Sequence, residues 1–222
     1  MKTVDAARRP VRSQWWWQAD TRTAVIESAN VIGLAMLPPG RFHPFELDTF
    51  GLGRIVLAAR KQDAARCYVG IGGSATNDGG FGLARALGWS FRDRRGNALE
   101  RWPDLVNLRN VIAPRVRRPI RSLTVAVDVQ NRLLGKLGCS RVYGPQKGLR
   151  PEDFPKAEAA LRRLARVLRD ATGHDLSGEA GAGAAGGLGF GLCAFAGARM
   201  KPGFDLIARQ LKLSAEVRRA DL

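Results

Sequence analysis

The chain has 222 residues, 45% of them hydrophobic, enough to bury the core of one large domain or two small lobes, which excludes a disordered or fibrous polypeptide. Lys and Arg number 36 against 20 Asp and Glu, a formal net charge of +16, so nucleic acid, an anionic membrane surface and a polyanionic substrate such as ATP all have to be considered as partners. Its three cysteines, Cys67, Cys139 and Cys193, show neither paired spacing nor CxxC, which excludes a disulfide framework and a zinc site and suits the reducing cytoplasm.

Met1 to Arg12 is basic and runs into Trp15-Trp16-Trp17 and polar residues instead of the apolar segment of a signal peptide, so export is not expected. Thr23 to Ser28 reads as a short strand. Pro38-Pro39-Gly40 marks a turn, and Ile55 to Arg60 belongs to a helix that follows a break at Gly51-Leu52-Gly53. Cys67 to Ile71 is an apolar run ending in glycines, and Phe81 to Leu87 has helical character, which together read as strand, glycine loop, helix. Trp89 to Phe91 gives a further strand, and Asp93-Arg94-Arg95-Gly96-Asn97 supplies the turn chemistry of a hairpin back through Ala98 and Leu99.

Arg115-Val116-Arg117-Arg118 and Arg162-Arg163 interrupt apolar positions without interleaved aromatic residues, the pattern of a solvated basic face and not of specific nucleic-acid binding. Leu123, Val125, Val127 and Val129 alternate with Thr124, Ala126 and Asp128, so a strand is expected to end close to Asp128. Ala157, Leu161, Leu164, Leu168 and Ala171 recur at helical spacing, with Pro151 suited to the first turn and Gly173 to the stop. Ala180 to Ala198 carries no charge and spaces Gly183, Gly187 and Gly191 like packed membrane helices. Glycine and alanine dominate it, however; each Gly costs about 1 kcal/mol in a helix interior and gains little in lipid, so no membrane span is expected. Alternating strands and helices predict an α/β protein with a largely parallel sheet, whose loops at the strands' carboxyl ends collect ligands.

Three glycine-bearing loops could carry chemistry. Gly70-Ile-Gly-Gly-Ser-Ala-Thr-Asn-Asp-Gly-Gly80 offers backbone N–H groups to an anion at the start of a helix; Ser74, Thr76 and Asn77 add donors, and Asp78 adds a carboxylate able to hold Mg²⁺ or accept a hydroxyl proton. Gly70-x-Gly72-x-x-Ala75 also matches a dinucleotide fingerprint, with Asp93 near the position of the ribose acid, so a Rossmann-type oxidoreductase binding NAD or NADP is the alternative reading. Gly181-Ala-Gly-Ala-Ala-Gly-Gly-Leu-Gly189 is a second such loop, and Gly144-Pro-Gln-Lys-Gly148 is a rigid turn bearing Lys147. Neither has the residue order of a P-loop.

These three segments, in this order and spacing, resemble the signature of the glycerate kinase family, and the likeness extends from about Pro10 to Leu222 through Ala24-Val-Ile-Glu27, Asp128-Val129 with Asn131, and Arg199-Met-Lys-Pro-Gly203. Residues 1–9 read as a non-matching extension, and 10–222 as an incomplete family region whose division between lobes is not assignable. The resemblance implies two unlike α/β lobes with the active site between them, and transfer of the γ-phosphoryl group of ATP to glycerate with Mg²⁺. It implies Asp78, Asp128 and Lys147 as catalytic groups, with Asp78 and Asp128 as Mg²⁺ ligands. Gly72, Gly73, Ser74, Thr76, Asn77, Asn131, Gln146, Gly183, Gly186 and Gly187 would bind phosphate or substrate. His43 and His174 lie in no matching motif and are expected to be structural or on the surface.

The sequence also departs from the family pattern. Family members begin with a further strand and an Asp-Ser-Phe-Lys segment and continue into Ile-Thr-Gly-Glu-Gly. Leu52, Arg54 and Arg132 stand where Thr, Glu and Pro are usual. A truncated relative is therefore expected, with little kinase activity in residues 1–222 alone, and a non-catalytic pseudoenzyme is a further alternative.

Overall fold

A computed structural model describes residues 1–210 and 213–220. At its start β1 (Lys2–Val4) and β2 (Pro10–Arg12) pair antiparallel. Then follow β3 (Trp16–Gln18), β4 (Thr23–Glu27), the one-turn helix α1 (Ala29–Ile32), α2 (Phe50–Lys61), β5 (Arg66–Gly70) and α3 (Phe81–Ala86). An excursion carries β6 (Ser90–Arg92) and β7 (Asn110–Ile112), which pair antiparallel with each other. The chain returns as β8 (Ser122–Ala126), α4 (Cys139–Val142), α5 (Phe154–Thr172), α6 (Ala184–Ala196), β9 (Arg199–Lys201), α7 (Gly203–Gln210) and α8 (Leu213–Arg219).

The main sheet runs β3-β4-β5-β8-β9, with β4, β5, β8 and β9 parallel and β3 antiparallel at one edge. This is the α/β class with a mostly parallel sheet that the strand and helix alternation predicts. Ala24, Ile26, Cys67, Val69, Leu123 and Val125 occupy one face at period two and are buried in the core, where α2 packs on α3 and α3 on α6. In α5 the apolar stripe Ala157, Ala160, Leu161, Leu164 and Leu168 is buried, and Gly173 ends the helix with φ +76°. No helix among the described residues is long and apolar enough to cross a membrane.

Some local expectations are corrected and others are met. The helix does not break at Gly51 and Gly53; α2 runs through both, because a Cβ on Gly51 would stand 1.9 Å from the Val4 carbonyl oxygen and one on Gly53 2.6 Å from the Ala86 side chain. These glycines let β1 and α3 approach the helix. The hairpin at Asp93–Asn97 forms as expected, with Asp93 N–H donating to Asn97 O at 3.0 Å, an antiparallel bridge between Arg92 and Ala98 and Leu99 N–H donating to Phe91 O at 2.9 Å; β7 adds a longer ladder to β6. The strand expected to end close to Asp128 does so, β8 ending at Ala126 with Val127 N–H still donating to Lys201 O at 2.9 Å, whereas Pro151 opens a separate 3-10 turn ahead of α5.

Candidate active site

The loops that leave β5 and β8 meet the Gly144–Gly148 turn at the carboxyl end of the sheet. Between them lies a cavity of about 470 Å³, lined among others by Gly72, Gly73, Ser74, Asp128, Gln146 and Lys147. Open α/β sheets bind ligands in this position. A larger cavity of about 1070 Å³ extends between residues 34–47 and 145–150 and shares Leu34, Gly73, Gln146 and Lys147 with the first.

In the first loop the residues divide into two groups. Gly73 adopts φ +68°, and a Cβ on Gly72 would meet nothing within 4 Å, so this backbone lies open to the cavity. The N–H groups of both glycines lack a partner among the described residues. The Ser74 hydroxyl accepts the Thr76 N–H at 3.1 Å and lies 2.9 Å from the Thr76 hydroxyl, which closes the turn. From Thr76 onward the chain points inward. Asn77 donates through Nδ2 to Ser140 Oγ at 2.9 Å, and its Oδ1 is buried without a partner among the described residues.

Asp78 is corrected most. The sequence reading requires an accessible carboxylate, yet Asp78 is fully buried and saturated. Its Oδ2 accepts from Thr49 N–H (2.9 Å), Thr49 Oγ1 (2.8 Å) and Gly82 N–H (2.9 Å), and its Oδ1 from Gly80 N–H (3.1 Å). The Thr49 hydroxyl in turn accepts the Leu83 N–H at 2.8 Å, so the carboxylate fastens the start of α2 to the start of α3. Burial and the nearby Asp48 push its pKa up to about 6, against the pull of the donors.

Lys147 is the reverse case, a loop lysine that is 5% exposed. Gly144 lets the turn form, since a Cβ there would lie 2.0 Å from Ser140 O, and Gly148 closes it at φ +103°. The ammonium donates to Thr76 O at 2.6 Å and lines both cavities. Burial pulls its pKa down to about 8, while Cys139 and Asp78 draw it upward.

The second glycine loop is built for packing more than for donating. Gly183 N–H is spent on Asn131 O (2.8 Å) and Gly187 N–H on Gly183 O (3.2 Å), while Gly186 O accepts from Gly79 N–H (3.1 Å). A Cβ on Gly186 would lie 2.0 Å from Thr76 O, and one on Gly187 2.9 Å from the Gly79 Cα. The expected ligand N–H groups at Gly183 and Gly187 are thus already paired. Ala185, left-handed at φ 54° and ψ 39°, does line the smaller cavity. That is a strained conformation of the kind that collects at ligand sites, and nothing in the sequence marks it.

Asp128 is exposed and faces the smaller cavity, with Oδ1 accepting the N–H groups of Gly203 (2.8 Å) and Phe204 (3.3 Å) at the start of α7. Asn131 does not reach the cavity; it accepts from Tyr143 OH at 2.6 Å and donates to Leu137 O at 2.9 Å, steadying Tyr143, which does. Of the two carboxylates expected as Mg²⁺ ligands, Asp78 is buried with four donors on its oxygens and Asp128 faces the cavity. Among the described residues no group of three or more His, Cys, Asp or Glu could hold a metal ion. Burial raises all three cysteine thiols to about 12, so none is a nucleophile at neutral pH. The dinucleotide reading fails on Asp93, which follows β6 outside the main sheet and caps its own exposed turn through Arg95 N–H (2.8 Å) and Asn97 N–H (2.9 Å).

Comparison with known proteins identifies the family. Glycerate 2-kinase of Escherichia coli K12 is 36% identical over 212 residues, covering 93% of this chain and 55% of that protein. Glycerate kinase of Bacillus subtilis 168 is 36% identical over 216 residues, covering 96% and 56%. The chain thus spans little more than half the length of these relatives. A crystal structure described as glycerate kinase 2 from Salmonella typhimurium LT2 superposes with a TM-score of 0.91 at 35% identity, covering 97% of this chain and 58% of that one. The sequence profile of the glycerate kinase family matches residues 1–222. With the whole chain matched by that profile, and its glycine loops gathered at the carboxyl edge of the sheet, this protein belongs to the glycerate kinase family.

Proposed function

We propose that the chain carries the substrate-binding core of a cytoplasmic kinase that transfers the γ-phosphoryl group of ATP to glycerate. The observation that carries this reading is the pair of connected cavities at the strands' carboxyl ends, with a buried lysine at their junction and an exposed carboxylate in one of them. Phosphoryl transfer asks mainly for positioning and charge stabilisation. The open backbone at Gly72 and Gly73 and the ammonium of Lys147 supply donors and positive charge to phosphate oxygens, and Gln146 adds a neutral donor beside them. The glycerate hydroxyl oxygen attacks the γ-phosphorus, the bond to the β–γ bridging oxygen breaks, and ADP leaves. Asp128 accepts the hydroxyl proton. Mg²⁺ would be carried in with the nucleotide and would supply charge neutralisation at its phosphates, with Asp128 the carboxylate that lines the smaller cavity. Three unpaired thiols support a reducing compartment.

The test is ATP-dependent formation of phosphoglycerate by the purified protein and by its Asp128→Asn variant. The variant should lower kcat by about 10²–10⁴-fold, the usual worth of a general base, with KM for ATP little changed. An unaltered kcat removes Asp128 from the mechanism, and failure of glycerate to accept phosphate from ATP, with the chain joined to the remainder of a family member's length, removes the kinase reading.

A further inference from the structure

We propose that the two adjoining cavities divide the substrates, the larger one taking the adenine nucleotide and the smaller one the three-carbon hydroxy acid, with the phosphoryl group crossing at Lys147. The assignment rests on the kinase reading above and adds to it which wall reads which substrate.

Size is the first argument. A nucleoside triphosphate is several times larger than a three-carbon acid, and the cavities measure about 1070 and 470 Å³. Charge is the second. Arg41, Arg150 and Lys147 line the larger cavity, with Glu46 as its only acid. Glu46 is engaged already, accepting the His43 N–H through Oε2 at 2.9 Å. Arg41 forms no ion pair among the described residues, and the Arg150 guanidinium makes one ion pair there, with Glu152 at 3.6 Å in an exposed position, while its backbone N–H donates to Asp153 Oδ2 at 2.9 Å. Two guanidiniums are therefore available to a triphosphate, and Arg presents the planar donor fork that phosphate accepts best. The smaller cavity instead holds Asp128, which would repel a polyphosphate but suits a hydroxyl that must lose its proton.

The junction and the wall complete the case. Lys147 spends one hydrogen on Thr76 O, which leaves two for a phosphate placed where the cavities share Leu34, Gly73 and Gln146. In-line transfer needs both substrates to meet at one such point. The wall formed by residues 38–43 is anchored at its end: His43 Nε2 lies 3.1 Å from Asp153 Oδ2, and Trp102 donates through Nε1 to Pro44 O at 3.1 Å. An end anchored before binding lowers the ordering cost of closing the rest of the wall on a ligand.

Equilibrium binding of ADP and of glycerate, each alone, to the protein and to an Arg41→Ala/Arg150→Ala double variant decides the matter, with circular dichroism to show that both are folded. The double variant should bind ADP at least about tenfold more weakly and glycerate within about twofold of the unsubstituted protein. Weakened glycerate binding with ADP affinity intact overturns the assignment, as does an unchanged affinity for both or failure of the unsubstituted protein to bind ADP. ADP binding that depends on these arginines, without any phosphoryl transfer, overturns the kinase reading and leaves the nucleotide cavity standing. Transfer that survives with unweakened ADP binding in the double variant does the opposite.

Discussion

Asp78 accepts hydrogens from four donor groups while wholly enclosed, and enclosure wins over the donors in setting its protonation. Its pKa rises from 3.8 to about 6. A folded-state value above the unfolded one means that this group's contribution to stability is fully present below pH 3.8 and is lost as the pH climbs through about 6. That loss amounts to about 3 kcal/mol at 1.36 kcal/mol per pH unit. Replacing Asp78 by Asn turns an amide toward N–H donors and should destabilise the fold by about 3–5 kcal/mol, the cost of breaking a buried charged network. Urea unfolding of both proteins at pH 4 and pH 7 checks this: the gap should be larger at pH 4, since only the unsubstituted protein carries the titration. Lys147 runs the other way, with a folded pKa of about 8 against 10.5 unfolded. Its contribution is present above pH 10.5 and lost as the pH falls through about 8, so at neutral pH the fold tolerates a buried cation. Lys147→Met should leave the protein folded, by thermal melt and circular dichroism, and reduce turnover by about 10²–10³-fold.

At the level of elements, the two glycine loops are two sides of one backbone contact. Gly186 faces Thr76 O, Gly187 faces Gly79, and a Cβ on Gly191 would lie 2.6 Å from the Gly80 Cα, so the loop after β5 and the start of α6 approach more closely than side chains allow. Gly186→Ala combines a Cβ 2.0 Å from Thr76 O with φ +72°, and overpacking plus backbone strain should cost about 2–5 kcal/mol, read as a lowered midpoint in urea. Gly72→Ala is the contrast. Its Cβ meets nothing within 4 Å, so stability should stay within about 0.5 kcal/mol while the KM for substrate rises. A pair of variants that both lost stability would show the first loop to be packed like the second. The same contact explains why similar glycine patterns differ in role: one loop ends on solvent, the other against a neighbouring backbone.

Over the whole molecule, ligand binding should tighten walls drawn from distant parts of the chain, residues 34–47, 71–74 and 145–150. At an ADP concentration a hundred times its Kd the folded state gains about 2.7 kcal/mol, and for a domain of this size Tm should rise by about 5–10 °C in a thermal-shift assay. No shift would mean that these walls do not close on nucleotide. Much of the architecture was legible beforehand. The period-two run over Leu123–Val129, the apolar run Cys67–Ile71 and the helical stripe Ala157–Ala171 each became the element expected, because burying an apolar face at a fixed spacing is a local demand that the sequence itself expresses. The three loops were legible too, since glycine and proline punctuate the chain. The direction of each side chain within those loops was not legible. Asp78 and Asp128 look alike in sequence, yet one is sealed by Thr49 and the starts of two helices while the other stands open at a strand's end. Lys147 stands in sequence only as a lysine on a rigid turn, and it is buried beside a carbonyl 71 positions away. Only the tertiary structure decided these cases, because burial and hydrogen-bond partners come from residues far along the chain, and no local spacing records which of them will arrive.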